Sequence, residues 1–308
     1  MAAPHRIDTH THMLPPDYAA MLKRRSADAG GLPIPDWSVD AALESMEARS
    51  VRTSIVSVST PGVHFGDDAE ARAMARSVNE YAADVAKRNP GRFGFFATLT
   101  LPDVEGSLDE LTYAFDTLQA DGVVLLANTH GTYLGDEAQQ PLFDELNRRN
   151  AVVFVHPAQL PGPLVPGVPA FAVDFLLDTT RAAVRLMTSG TLARCANIKV
   201  ILSHAGGFVP YASHRIAVTT STANVADGLA QLRRFYYDIA LSGSPAALPS
   251  LLATAAPDHI MFGTDFPHAP KQVGQAFTTM YEAYSMSEAQ RVSIDRGAAE
   301  RLFPRFKQ

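Results

Sequence analysis

The chain has 308 residues, of which 46% are hydrophobic and 19% are charged, and its formal net charge is −6. This is the composition of an ordinary globular enzyme with enough apolar residues for a large core. The mild acidity, together with the absence of a run of lysines and arginines, argues against a surface that binds nucleic acid.

We predict one domain over residues 1–308, because α/β barrels often reach about 250 residues or more as a single unit. No apolar leader precedes the first strand and the longest apolar runs are strand-sized, so neither a signal peptide nor a membrane span is expected. The lone cysteine, Cys195, excludes an intrachain disulfide, and its context predicts a buried, inert thiol. These features favour a cytoplasmic enzyme.

Short β-rich runs alternate with longer helical runs from one end of the chain to the other. Several of the β-rich runs are almost continuously apolar, as parallel strands covered on both faces require. The eight predicted strands span residues 6–12, 52–59, 92–99, 122–128, 152–158, 199–205, 234–240 and 259–265.

Helical patterns separate many of these strands, and this alternation predicts βαβ units with a parallel sheet. Eight such units without a glycine-rich dinucleotide fingerprint favour a closed (β/α)8 barrel of the TIM type. An open, doubly wound sheet is the alternative. The helical patterns cover residues 67–89, 104–121, 138–150, 174–195 and 245–256.

Two connections are longer than ordinary loops and interrupt the alternation. Residues 13–37 follow the first strand and are predicted to form an insertion over the barrel mouth, because Pro and Gly interrupt regular structure there. Residues 159–173 carry four prolines and follow the fifth strand. Both are predicted lids or walls of a substrate pocket.

Five polar side chains able to bind a metal ion close strands that are otherwise apolar. In a barrel, the active groups sit at the carboxyl ends of the strands. His10 and His12 end the first strand, and the fifth, sixth and eighth strands end at His156, His204 and Asp265. We therefore expect these side chains to meet at one rim.

The spacing of His10 and His12 places both side chains on the same face of a strand. An imidazole without a hydrogen-bond partner is costly to bury, and one divalent cation can serve as the partner of a ring nitrogen from each histidine. With His156 and Asp265 the set becomes a nitrogen-rich site that suits zinc, and also manganese or iron. Asp8 is predicted on the same face, one step deeper, as an acceptor for a ligand imidazole.

The role of His204 stays open at this point: a fifth ligand, a general acid/base, or an orienting donor. The predicted fourth strand, "GVVLLANTHG", contains no lysine that could be carboxylated to bridge two ions. A single ion is therefore predicted, which leaves His204 free for proton chemistry.

The stretches "IDTHTHMLP", "FVHP", "SHAGG" and "MFGTDFPH" together resemble the amidohydrolase superfamily, in order and across essentially the whole chain. More narrowly, they resemble its metal-dependent aromatic-acid decarboxylases, which include α-amino-β-carboxymuconate-ε-semialdehyde, γ-resorcylate and 6-methylsalicylate decarboxylases. The resemblance implies that one divalent ion, Zn²⁺ or alternatively Mn²⁺, is bound by His10, His12, His156 and Asp265.

The resemblance also implies roles around the metal. His204 is the acid/base histidine, and Asp265 takes part in catalysis as well as in metal binding. Arg215, eleven residues after His204, resembles an arginine used near the substrate carboxylate, with an exposed helix arginine in a solvated ion pair as the alternative. His268 departs from the family pattern, and it either lines the pocket or caps the following loop. The resemblance suggests a homodimer or homotetramer, with Arg215 entering a neighbouring pocket.

Further pocket residues are predicted from their place after a strand: His64, Asn128 and His130, and Phe171 and Phe175, which would stack on an aromatic ring. Loop packing or turn chemistry is the alternative for each of them.

The predicted reaction is non-oxidative decarboxylation of a small hydroxylated aromatic acid of the salicylate type, with the metal holding the carboxylate and an ortho hydroxyl. Either Asp265 or His204 delivers the proton. Hydrolysis of a lactone, amide or ester by a metal-activated water is the alternative, and a non-catalytic metal-dependent sensor is a third.

Overall fold

Eight parallel strands form a barrel in which each strand pairs with the next strand along the chain. The structure is a computed structural model that describes residues 5–220 and 224–307. A two-stranded hairpin, Asn128–Thr129 with Thr132–Tyr133, lies outside the barrel. The barrel strands are β1 Arg6–His12, β2 Val51–Ser57, β3 Phe93–Thr98, β4 Gly122–Leu126, β5 Val152–His156, β6 Lys199–Leu202, β7 Tyr236–Asp238 and β8 Ile260–Met261.

The barrel closes where the segment after β8 lies alongside β1. The main-chain N–H of Thr9 donates to the oxygen of Phe262 at 3.0 Å, and that of His12 donates to the oxygen of Phe266 at 2.7 Å. Between them, the N–H of Asp265 donates to the oxygen of His10 at 2.8 Å. The predicted (β/α)8 barrel is therefore confirmed, and the alternative of an open sheet is wrong.

Helices cover the outside of the barrel, and several begin at side chains that cap them. Ser38 caps α2, Asp67 caps α3 and Asp103 caps α4, each by accepting a main-chain N–H of the first turn. The α-helices are α1 Pro16–Arg24, α2 Val39–Ala48, α3 Asp68–Arg88, α4 Val104–Asp116, α5 Gln140–Arg148, α6 Asp174–Thr188, α7 Thr191–Arg194, α8 Ser213–Thr220, α9 Val225–Leu232, α10 Leu248–Thr254, α11 Lys271–Ala283, α12 Glu288–Val292 and α13 Ala298–Leu302.

Short turns of other helix types accompany these, at Glu137–Gln139, Ala170–Ala172, His204–Gly206, Ser293–Gly297 and Pro304–Phe306. In the described part of the chain, every helix is too short or too polar to cross a bilayer.

The connection over residues 13–37 is more regular than its sequence predicts, because it contains α1. Tyr18, Met21 and Leu22 are buried on one side of this helix, at the spacing of three and four residues that a helix face requires. Pro16 begins the helix at a position where its missing N–H costs nothing. Cys195 is buried, as predicted.

The core has two parts. The larger part lies between the strands and the surrounding helices. The smaller part fills the barrel interior below the carboxyl rim, where strand side chains such as Ile7, Phe96 and Phe154 meet Phe303 and Phe306 from the C-terminal segment. This segment closes the lower end of the barrel, so that the upper end remains for chemistry.

Candidate metal centre

Five side chains from the ends of four strands meet at one rim, as predicted. His10 and His12 come from β1, and His156, His204 and Asp265 come from the ends of β5, β6 and β8. No more than 7% of any of the five is exposed. One compact group has ligand-capable atoms that all lie within 4.8 Å of one another: His10, His156, His204 and Asp265. This cluster fits a divalent metal ion.

His12 adjoins that group through the Asp265 carboxylate. Its Nε2 atom lies 3.2 Å from Oδ1 of Asp265, and Nε2 of His10 lies 3.4 Å from the same oxygen. Two ligands bound at about 2.0–2.1 Å to one tetrahedral ion are about 3.4 Å apart. The separations therefore match two imidazoles and one carboxylate around a single cation.

Three of the imidazoles have one ring nitrogen paired and the other free. Nδ1 of His10 donates to Oδ2 of Asp238 at 2.9 Å, and Nδ1 of His12 lies 3.0 Å from the hydroxyl of Ser57. Nδ1 of His156 donates to the main-chain oxygen of the next residue at 2.9 Å. All three Nε2 atoms are buried, and none has a hydrogen-bond partner among the described residues. A cation supplies the partner that these buried nitrogens need.

Burial and charge keep most of the cluster in the protonation state that a metal requires. Burial lowers the pKa of His12 to about 3 and holds the pKa of His156 well below its usual value. Burial would raise the pKa of Asp265, but the imidazoles of His10, His12 and His204, which lie 3.2, 3.4 and 3.5 Å from its carboxylate oxygens in the order His12, His10, His204, outweigh burial and hold that pKa well below its usual range. These two imidazoles are thus neutral and the carboxylate is charged.

His10 is the exception, because two carboxylates flank it. Burial lowers its pKa, but Asp238 and Asp265 outweigh burial and raise the pKa to about 10. Without a metal the cluster therefore takes up a proton at His10. A metal cation supplies the same positive charge between the two carboxylates.

The residues that follow the last strands adopt left-handed backbone conformations. The φ angle is 52° at His204, 48° at Leu241 and 60° at Asp265, after β6, β7 and β8. Such conformations are unfavourable for residues other than glycine and persist where the surrounding structure enforces them. Gly207 also has a positive φ, of 63°, and space requires a glycine there because a Cβ atom would lie 2.1 Å from the main-chain oxygen of Leu176.

Asp8 does not take the place predicted for it. The pairing of β1 with β2 shifts by one residue between Asp8 and Thr11, which is a β-bulge. Ile7 therefore joins the apolar interior, whereas Asp8 lines a cleft with residues of α2. Its carboxylate accepts from the main chain of His10 and from Thr264 instead of from a ligand imidazole.

The metal cluster opens onto a cavity of about 380 Å³. Its walls come from the insertion after β1, the connection after β5 and helix α11, and no lysine or arginine is among the described residues that line it. Small-molecule sites have this size and this mainly apolar lining with few polar groups. The lining includes Ala29, Leu32, Ser59, Thr60, Phe171, Phe175, Leu176, Ser242, His268, Val273 and Phe277.

The predicted substrate residues lie at three places: the cavity beside the metal cluster, a neighbouring cavity, and the exposed face of α8. Phe175 and His268 line the cavity, and the ring of His268 meets that of His12 edge-on at 5.1 Å between centroids. His64 and Asn128 line a neighbouring cavity of about 420 Å³ that shares Thr60 with the first.

His130 also lines this neighbouring cavity, where its Nε2 lies 3.2 Å from Nδ1 of His64. Arg215 is exposed on α8 and lines none of these cavities. Within one chain, the structure therefore brings together only some of the predicted substrate contacts.

The sequence reasoning missed Asp238, Ser57 and the wall from α11. Asp238 is the last residue of β7, so the rule that found the other strand-end groups would have found it too. Ser57 ends β2 in the same way. Val273 and Phe277 carry no such signal, because nothing in a helix pattern tells which residues face a cavity.

Comparison with known proteins agrees with this geometry. The amidohydrolase family model matches residues 7–305. The chain belongs to the amidohydrolase family. A 6-methylsalicylic acid decarboxylase from Penicillium expansum is 40% identical over 317 residues, which cover 98% of this chain and 97% of that protein.

Solved structures share the fold over almost the whole chain. A protein described as amidohydrolase II is 30% identical, with a TM-score of 0.92 over 97% of this chain and 99% of that one. A dihydroxybenzoic acid decarboxylase from Polaromonas sp. JS666, solved with manganese and the inhibitor 2-nitroresorcinol, is 22% identical. Its TM-score is 0.78, over 99% of this chain and 97% of that one.

Proposed function

We propose that this member of the amidohydrolase family is a metal-dependent, non-oxidative decarboxylase of a small hydroxylated aromatic acid of the salicylate type. The observation that carries the proposal is a metal-binding cluster at the wall of an apolar cavity of about 380 Å³. An aromatic ring fits such walls, and a carboxylate then has one cationic partner to bind, the metal. The relative from Penicillium expansum, a decarboxylase of this chemical class, supports the assignment.

For the metal, we propose one ion held by His10, His12, His156 and Asp265. The support is that the three Nε2 atoms are buried and unpaired while each Nδ1 has a partner. The competing set replaces His12 with His204, which has a ligand atom within 4.8 Å of those of His10, His156 and Asp265. Three imidazoles and one carboxylate suit Zn²⁺, which we propose as the ion, with Mn²⁺ as the alternative.

Two variants distinguish these ligand sets. His12→Ala is expected to lower the metal content of the purified protein, whereas His204→Asn is expected to retain the metal and lose turnover, by about 10²–10⁴-fold. Metal content is measured by elemental analysis and turnover by product formation. Metal loss in His204→Asn with retention in His12→Ala would support the competing set instead.

When bound, the divalent cation supplies positive charge that holds the substrate carboxylate and the neighbouring hydroxyl and neutralises their charge. Phe175 contacts the ring from the cavity wall, together with Phe171, and His268 lies beside His12 at the same wall. The apolar lining excludes water from the reacting carbon. The substrate is thereby held with its carboxylate at the rim.

Asp265 and His204 form the proton-delivering pair in this proposal. Nε2 of His204 lies 3.5 Å from Oδ2 of Asp265, so a proton held by one is within reach of the other. The proton is transferred to the ring carbon that bears the carboxylate. The bond from that carbon to the carboxylate then breaks, its electron pair returns to the ring, and CO₂ leaves.

The remaining predicted contacts belong to the surroundings of the site. We propose that His64 and Asn128 act from the neighbouring cavity, on the path of the substrate, since that cavity adjoins the first at Thr60. Arg215 acts only if a second copy presents it, as in a homodimer or homotetramer. Its exposed position on α8 agrees with this, and light scattering coupled to size exclusion tests the assembly.

We also propose that residues 1–308 act as one domain in the cytoplasm. The family match over 7–305 and the single cysteine support this proposal. The segment over residues 13–37 contributes Ala29 and Leu32 to the cavity and so acts as part of its cover.

The function is tested with metal-loaded protein and a panel of hydroxybenzoates and aryl esters. Release of CO₂ without a hydrolysis product is expected, and in D₂O the product should carry deuterium at the carbon that lost the carboxylate. Hydrolysis products without CO₂ would instead establish the metal-dependent hydrolase. Binding of the acids without any turnover would indicate a metal-dependent sensor.

A further inference from the structure

Asp238 connects two groups of the proposed site that lie far apart in sequence. It ends β7, and its side chain is completely buried. Oδ2 accepts from Nδ1 of His10 at 2.9 Å, and Oδ1 accepts from the main-chain N–H of His204 at 3.1 Å and of Ala240 at 2.9 Å. One carboxylate therefore touches both a proposed metal ligand and the residue proposed to move the proton.

The contact to His10 determines which ring nitrogen carries the hydrogen. A carboxylate only accepts hydrogen bonds, so Nδ1 of His10 must donate. In the neutral ring, the lone pair is then on Nε2, the buried and unpaired atom that lies 3.4 Å from Asp265. This is the tautomer that a metal ion requires.

The other two imidazoles have neutral partners. Ser57 has a hydroxyl, which donates or accepts, and it therefore allows either tautomer of His12. The partner of His156 is a main-chain oxygen, which no substitution removes. Among these three contacts, only the one made by Asp238 is charged, and the main-chain oxygen beside His156 shares its restriction to accepting.

The contact to His204 acts on the main chain. His204 has a φ of 52°, and its N–H points at Asp238 in that conformation. The hydrogen bond joins the end of β7 to the turn after β6 and fixes the main-chain position from which the imidazole of His204 extends. We propose that Asp238 is a positioning residue that sets the tautomer of His10 and the main-chain position of His204. The proposal rests on the metal-dependent function proposed above.

Asp238→Asn tests this with little change of shape. If the amide oxygen keeps the two main-chain hydrogen bonds, the NH₂ group faces Nδ1 of His10 and forces the hydrogen onto Nε2. If the amide turns over, its NH₂ group opposes the N–H groups of His204 and Ala240. In both orientations the negative charge beside His10 is lost, so we expect Zn²⁺ affinity to fall by about 10–100-fold, measured by competition with a chromogenic chelator.

Ser57→Ala is the matched control, because it removes the neutral partner of His12. We expect a loss of Zn²⁺ affinity that is smaller than the loss in Asp238→Asn, because the contact that is removed carries no charge. If the amide turns over in Asp238→Asn, kcat should also stay low at saturating Zn²⁺, because the main chain of His204 is then displaced. A purely structural role would lower the melting temperature and leave the Zn²⁺ affinity of the folded protein unchanged, and that result would overturn the proposal.

A second measurement does not depend on whether the variant folds. In the Zn²⁺-loaded wild-type protein, nitrogen–proton correlation spectra should show a hydrogen on Nδ1 of His10 and none on Nε2. The reverse assignment would refute the proposed role of Asp238. Failure of every acid in the turnover panel would instead count against the function, and would leave the Zn²⁺ measurements standing.

Discussion

The two ends of the barrel interior are built from the same strands and have opposite chemistry. At the lower end, Phe96 and Phe154 stack at 5.2 Å between ring centroids and pack against Phe303. At the upper end, the strands finish in imidazoles and carboxylates. At the boundary, the ring of Phe154 meets the rings of His10 and His156 edge-on, at 5.0 and 6.0 Å between centroids. Position along a strand therefore decides whether a residue serves stability or chemistry.

The largest effect is expected when the same substitution, aspartate to asparagine, is made at the rim and, as a control, before β4. Asp265→Asn at the rim should lower kcat/KM by about 10²–10⁴-fold, since it weakens metal binding and removes one partner of the proton-delivering pair. The measurement is steady-state decarboxylation with metal in excess. Asp121→Asn is the control, because the side chain of Asp121 is 5% exposed, against 10% for Asp265, but lies before β4, where it pairs with Arg305. Equal loss of kcat in both variants would refute the division between a reactive rim and a structural remainder of the barrel.

Removing an aromatic ring from the lower end should affect stability and leave chemistry intact. Phe303→Ala empties part of the interior below the metal, which costs about 3–5 kcal/mol of the free energy of unfolding. Denaturant unfolding measures this cost. At a temperature well below the melting point, kcat per metal-loaded molecule should remain within about twofold of the wild type. A large fall in kcat there would mean that the two ends are coupled.

The smallest expected effect concerns the cover of the rim. A Cβ atom on Gly30 would lie 2.0 Å from Cζ of Phe175, a ring that lines the cavity. Gly30→Ala should therefore displace Phe175 and raise KM several-fold, with metal content unchanged, at a cost of about 1–2 kcal/mol in stability. Kinetics with the best substrate of the panel measure KM.

Gly31→Ala is the matched control for that prediction. Gly31 has a φ of 86°, so an alanine there is strained as well, but nothing lies within 4 Å of its Cβ position. Its stability should fall by a similar amount while KM stays at the wild-type value. Parallel increases in KM would show that backbone strain, and not the position of Phe175, controls the cavity.

Much of the barrel and its rim is predictable from the sequence because both follow from local patterns. Apolar runs give the strands, and the parallel arrangement places their ends together, so His156 and Asp265 meet although they are far apart in the chain. The spacing of His10 and His12 gives their common direction.

What the sequence does not reveal depends on pairing between distant segments. The bulge that turns Asp8 away from the interior arises from the register of β1 on β2, which no single strand specifies. The partner of His10 is Asp238, and only the closed barrel brings the two together. Likewise, the exposure of Arg215 depends on how α8 packs, not on its own residues.

The closure of the barrel, where the segment after β8 lies alongside β1, has a consequence for stability. Asp265 lies on the segment that joins the last strand to the first, and its own N–H is bonded to the oxygen of His10. An ion bound by these two side chains would link the segment after β8 to β1, the two parts of the chain that close the barrel. A substitution of either residue would therefore affect the closure of the barrel as well as the reaction.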